Sequence, residues 1–312
     1  MPISPDSAGT RIGFVPSLDR HAGGVFQYSA TMMDALAAIA RQERGIELVA
    51  LLHETVLATR ADFEAKGWRT TTVTPPAGRV RRALRRLAGE GPHRDAWRRW
   101  RSRAEQRMDG ALASGEINAF PRRDDLGRWW REQGIDLVIF PQPHAWAFQA
   151  GVPSIIAIHD LQHRLQPEFP EVSADGEWER RENVIRNCAT FATRILVDSE
   201  IGREHVLFFY GPYGVKPEQV AVLPFLPAST MPREVPAAAR EAARRRYGIP
   251  DSYIFYPAQF WPHKNHARIV EALEQLKARH GIVVAAVFCG THADAVRERH
   301  FDLLMNMARS CG

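Results

Sequence analysis

The chain has 312 residues, 45% hydrophobic and 25% charged, with a formal net charge of +5. This is an ordinary globular composition, long enough for two domains. No run of about 18 apolar residues is present, which excludes a transmembrane helix, and Met1-Pro2-Ile3-Ser4-Pro5-Asp6 lacks the basic-then-apolar order of a secretory signal.

Residues 11–15 read as a first strand, and a polar loop leads through Gly23-Gly24 into a helix over 25–41. Strands follow at 46–52 and 70–73. Residues 79–107 then carry eleven arginines against Glu90, Asp95 and Glu105, a local charge of +8 that leaves −3 for the rest. The positive balance is therefore one insert on a mildly acidic body, not the mark of a general nucleic-acid binder. Within the insert Val80, Leu84 and Leu87, then Trp97, Trp100, Ala104 and Met108, recur at helical spacing among the arginines. A helix pair over 79–108 suits either an anionic membrane surface or a solvated hairpin.

A helix over 122–133 ends at Gly134. Buried-type strands follow at 136–140 and 154–158, the second with His159-Asp160 at its carboxyl end. Helices over 174–192 and 200–210 flank a strand at 194–197, and 220–223 is a last strand before Pro224, Pro227, Pro232 and Pro236. The stretch 225–236 reads as a linker. Beyond it come a helix at 237–247, a strand at 253–256, a helix at 265–280, a strand at 282–289 and a helix at 293–308. Apolar strands alternating with helices argue for parallel sheets covered on both faces. The expected architecture is α/β, with two doubly wound Rossmann-like domains, 1–224 and 237–312. The second is incomplete, with two clear strands where about five or six are usual. Cys188, Cys289 and Cys311 are odd in number and far apart. They fit neither a disulfide framework nor a zinc site and point to a reducing cytoplasm.

Ligands of open α/β sheets bind beyond the carboxyl ends of the strands, and three loops lie there. Gly23-Gly24 lets backbone approach a ligand ahead of a helix start, or is merely flexible. It lacks the G-x-G-x-x-G spacing of a nicotinamide site. His159 can exchange a proton near neutral pH, with Asp160 orienting it or capping the next segment; the alternative is a histidine satisfied by backbone groups. The third loop runs from Gln259 to His266 and opens a helix. There Lys264 offers a point charge for phosphate and Asn265 a side-chain N-cap, against the plainer alternative of a solvated helix start. The Trp261 ring should fix the loop's shape. His263 and His266 have no carboxylate or cysteine nearby in sequence, so no metal site is expected.

In ordered combination, four stretches resemble the motifs of retaining glycosyltransferase family 4, a group with the two-domain GT-B fold. They are Gly23-Gly24, Ile158-His159-Asp160, Val197-Asp198-Ser199-Glu200, and Tyr256-Pro257-Ala258-Gln259-Phe260-Trp261-Pro262-His263-Lys264-Asn265-His266. The resemblance spans nearly the whole chain. It implies transfer of a sugar from a nucleotide-diphosphate sugar to a glycan or lipid-linked acceptor, with retention and without metal or cofactor. By resemblance, Lys264, with Gln259 and Asn265, would bind the donor diphosphate. His159 would sit beside the sugar in transfer, and Gly23, Gly24 and Asp160 would approach donor or acceptor.

Two departures stand. Gln259 falls where the family has an arginine, and an amide supplies hydrogen bonds but no charge. The family's paired glutamates, in a glycine-rich segment, have no counterpart after Cys289-Gly290. The alternatives are a non-catalytic GT-B-like binding or partner subunit, or an inactive fragment. The His263-Lys264-Asn265 motif speaks against a sugar-nucleotide epimerase. The expected location is cytoplasmic, with peripheral contact at the inner membrane face through 79–107 and no nucleic-acid partner.

Overall fold

The structure, a computed structural model, describes residues 9–19, 23–53, 60–73, 122–227, 232, 234–292 and 294–311. The basic insert over 79–108 lies outside them. The chain divides into two compact units. One holds the described residues up to Pro167 and from Asp175 to 227; the other holds Glu168–Ala174 and the described residues from 232 onward.

The first unit opens with β1 (Thr10–Phe14), α1 (Gly24–Gln42), β2 (Ile46–His53), α2 (Arg60–Ala65) and β3 (Arg69–Val73). Next come α3 (Asp124–Glu132), β4 (Leu137–Phe140), α4 (Trp146–Gln149), β5 (Ser154–Ala157) and α5 (Gln162–Leu165). The short α6 (Pro170–Ser173) groups with the second unit. The first unit then closes with α7 (Glu177–Phe191), β6 (Arg194–Val197), α8 (Glu200–Tyr210) and β7 (Val220–Val222). Asp175 and Gly176 are both left-handed, at φ 55° and 80°, so the helix expected over 174–192 begins only at Glu177.

Seven parallel strands form one sheet in the order β3-β2-β1-β4-β5-β6-β7. Strand order reverses at the β1–β4 pair, the switch point where doubly wound sheets place their ligands. Side chains alternate between two hydrophobic cores. Val49, Leu51, Val138 and Phe140 enter one, while Leu48, Ala50, Leu52 and Ile139 enter the other. A strand covered on both faces needs no polar alternation, so these runs are continuously apolar.

The second unit continues with α9 (Ala237–Tyr247), β8 (Tyr253–Tyr256), α10 (His266–His280), β9 (Ala285–Phe288) and α11 (Ala295–Cys311). β8 and β9 pair in parallel as a two-stranded sheet. Its core is small: Phe260, Val270 and Leu304, joined by Phe288 and Phe301. Ile254, Phe255 and Ile282 remain exposed, as does Val283 at 79%. No helix among the described residues is long and apolar enough to cross a membrane.

Gly290 follows β9 at a point where backbone meets backbone. A Cβ there would stand 2.0 Å from the Ala258 carbonyl oxygen. Gly290→Ala must push the end of β9 away from the segment after β8, at an expected cost of about 1–3 kcal/mol. The check is the denaturant midpoint of the second unit, which should fall while that of the first unit holds. An unchanged midpoint would mean the two strand ends part freely.

Candidate functional site

In the first unit, the candidate residues lie at the carboxyl ends of the strands. Gly23 is the N-cap of α1 with φ 61° and ψ −111°, a conformation that favours glycine, so its role there is conformational. Gly24 starts the helix, and a Cβ on it would meet nothing within 4 Å among the described residues. His159 lies two residues past β5. Its Nε2 donates to the Pro141 carbonyl at 2.8 Å, and its Nδ1 lies 3.2 Å from the Asp198 carboxylate. Both ring nitrogens are thus engaged by acceptors of the protein. These contacts hold the ring in place.

Asp160 does not orient His159. Its carboxylate accepts the N–H of Gln162, the first residue of α5, at 3.0 Å. The orienting carboxylate is Asp198, just past β6. Tyr28 of α1 stands edge-on to His159, with ring centroids 4.6 Å apart at 81°. Its hydroxyl is buried without a hydrogen-bond partner among the described residues; burial first, then the Asp198 charge, push the phenol well above its ordinary range.

The loop after β5 is anchored by a buried network. Glu182 of α7 takes hydrogen bonds from Arg164 at 2.5 and 2.8 Å, Tyr210 at 3.0 Å and His163 at 3.1 Å. Burial alone would raise the Glu182 carboxyl, but hydrogen bonds from His163 and Arg164 overcome it and hold it at about 2.

A cavity of about 510 Å³ opens at the β1–β4 switch point, lined by residues 15–19 and by Phe140, Pro141, His144 and Trp146 among others. Pro141, whose carbonyl holds His159, is part of its wall. His144 stacks on Phe140 at 5.4 Å, and its Nδ1 accepts the Trp146 N–H at 3.2 Å. Burial pushes His144 down to about 4, so its ring is neutral at physiological pH.

In the second unit, the residues after β8 form a tight turn. Gln259 Oε1 accepts the Trp261 indole N–H at 2.8 Å, and the Arg297 guanidinium lies 4.7 Å over the Trp261 ring. A 3-10 turn, Pro262–Lys264, leads into α10. The Lys264 N–H donates to the Trp261 carbonyl at 3.0 Å, and the Lys264 carbonyl accepts the Tyr256 hydroxyl at 2.9 Å. The lysine side chain is exposed and has no hydrogen-bond or ion-pair partner among the described residues.

Asn265 occupies the N-cap position of α10 without capping it. Its backbone is left-handed, φ 53°, and its side chain makes no cap hydrogen bond. Its own N–H is consumed by the Pro262 carbonyl at 3.0 Å. The ring of His266 is buried against Phe260, Tyr256 and Phe288, and burial lowers its pKa. The ring of His263 is paired with Glu171 at 2.7 Å.

Sequence reasoning missed Tyr28, Asp198, Glu182 and Glu171 as partners. Asp198 carried a usable signal, since it sits just past a buried strand like His159. The others carried none.

No protein-family model matches the sequence, and no curated protein matches it. Solved structures do match in fold. A glycosyltransferase from Rickettsia africae ESF-5 aligns over 98% of this chain at 12% identity and TM-score 0.51. Anabaena HepE in complex with UDP and glucose aligns over 97% at 14% identity and TM-score 0.55, and its UDP-glucose complex gives TM-score 0.53. The chain spans 66% of the length of each of these structures. At such identities the likeness is one of fold: this chain is built as an α/β protein on the GT-B plan.

Proposed function

We propose that the chain is a glycosyltransferase that takes its sugar from a nucleotide-diphosphate donor. The observation that carries this reading is the turn after β8, which presents at the start of α10 an exposed Lys264 with no side-chain partner among the described residues. A cation beside a helix N-terminus suits a diphosphate. The GT-B fold and the UDP and UDP-glucose named for HepE support it.

In this reading the glycosidic bond to the diphosphate breaks, and the leaving group departs with the bonding pair. Lys264, with Gln259 and Asn265 beside it, stabilises the charge that develops there. His159, held by Asp198, sits beside the sugar in transfer. Gly23, Gly24 and Asp160 border donor or acceptor. Transfer proceeds with retention, without metal or cofactor, to a glycan or lipid-linked acceptor. The insert over 79–107 brings the enzyme to the inner membrane face.

A second reading is a non-catalytic GT-B-like partner subunit. The exposed Ile254, Phe255 and Val283 on a two-stranded sheet favour it. Calorimetric titration of UDP-glucose, GDP-mannose and ADP-glucose separates the two. The transferase reading expects one nucleotide sugar to bind. Silence from all three would leave the partner-subunit reading.

A further inference from the structure

We infer that Glu171 is a positioning residue for the Lys264 turn, supplied by a strap of chain that leaves the first unit and returns to it. The inference rests on the reading of Lys264 as a diphosphate ligand. Glu168–Ala174 groups with the second unit, although the residues on both sides of it belong to the first. Within that strap Val172 is fully buried and the Glu171 side chain is only 3% exposed.

One oxygen of Glu171 makes two bonds to a single residue. Oε1 accepts the His263 main-chain N–H at 3.2 Å and the His263 Nδ1–H at 2.7 Å. Phe169, two residues earlier, packs edge-on against the same imidazole at 6.0 Å. His263 is the middle residue of the 3-10 turn, and Lys264 is its last. The lysine's own N–H is tied to Trp261 of the same loop and its carbonyl to Tyr256, the last residue of β8. Glu171 adds a third tie, from 92 residues away in sequence. Three ties hold the backbone beneath Lys264, so the chain that carries the ammonium need not be ordered when a ligand arrives.

A carboxylate beside an anion site works against the anion by its charge. What the turn needs from Glu171 is therefore its acceptor oxygen. That distinction decides the test, which measures UDP binding by calorimetry on the full chain. Glu171→Ala should weaken UDP about tenfold, the scale of lost supporting contacts. Glu171→Gln, which keeps the acceptor and removes the charge, should restore near-wild-type affinity. In a Lys264→Ala background, Glu171→Ala should cost nothing further, because there is no ammonium left to position.

A Glu171→Ala protein that binds UDP as the wild type does overturns the inference. So does a loss that persists undiminished without Lys264, which marks general damage to the unit. If Glu171→Ala does not fold, Glu171→Asp replaces it. The shorter side chain withdraws the oxygen by about one bond length, and a loss larger than that of Glu171→Gln and below tenfold is expected, with unchanged affinity again overturning the proposal. If Lys264→Ala itself leaves UDP binding intact, the diphosphate reading fails, and this inference with it.

Discussion

Glu182→Ala is expected to lower the stability of the first unit by about 3–5 kcal/mol, the range found when one partner of a buried charged network is removed. The reason is what stays behind. Tyr210 and His163 are fully buried, and Glu182 is the hydrogen-bond acceptor of both. Without it a hydroxyl and an imidazole N–H lose their partner away from water. Arg164 loses two charge-assisted bonds, although its guanidinium still packs over Trp178 at 5.1 Å and Phe209 at 5.6 Å. For a unit of this size the melting temperature should fall by roughly 10 °C.

The same carboxyl gives the stability a pH signature. Its folded pKa of about 2 lies below the ordinary value of 4.5. The stabilisation is therefore complete above the unfolded value and fades as pH falls from there toward the folded one. Denaturant midpoints measured across this window should drop for the wild type and show a smaller drop for Glu182→Ala. Parallel acid branches in the two proteins would mean another carboxylate governs acid unfolding.

Lys264→Ala should weaken binding of UDP by about 10- to 100-fold, the value of a hydrogen bond to a charged group. Gln259 offers no substitute charge, and its carboxamide oxygen is already occupied by Trp261. The burden on the lysine is correspondingly large. Because the ammonium is exposed, raising the salt concentration should weaken wild-type binding more than that of Lys264→Ala. Equal salt dependence would show that the diphosphate, if bound, is gripped elsewhere.

The elements of the sheet were legible because each reports on itself. Residues 194–197, 200–210, 237–247 and 253–256 form the strand or helix their own periodicity dictates. At two of the places where reading and structure differ, a backbone choice intervened: Asp175 and Gly176 turn left-handed and delay α7, and Asn265 turns left-handed and gives up its side-chain cap. The strand read over 282–289 is shorter, Ala285–Phe288, and α2 was not read. The four-residue helices α4, α5 and α6 were not read at all, since one turn is too short to show a period.

The sequence alone settled the α/β class, the parallel strands and the three loops at their carboxyl ends, because hydrophobic periodicity and helix stops are local. Tertiary structure alone decided which side chains meet. Asp198 reaches His159 across 39 residues and Glu171 reaches His263 across 92, pairings that close long loops and leave no trace in local spacing. A carboxylate's partner is chosen by where packing brings it, and packing is a property of the whole sheet.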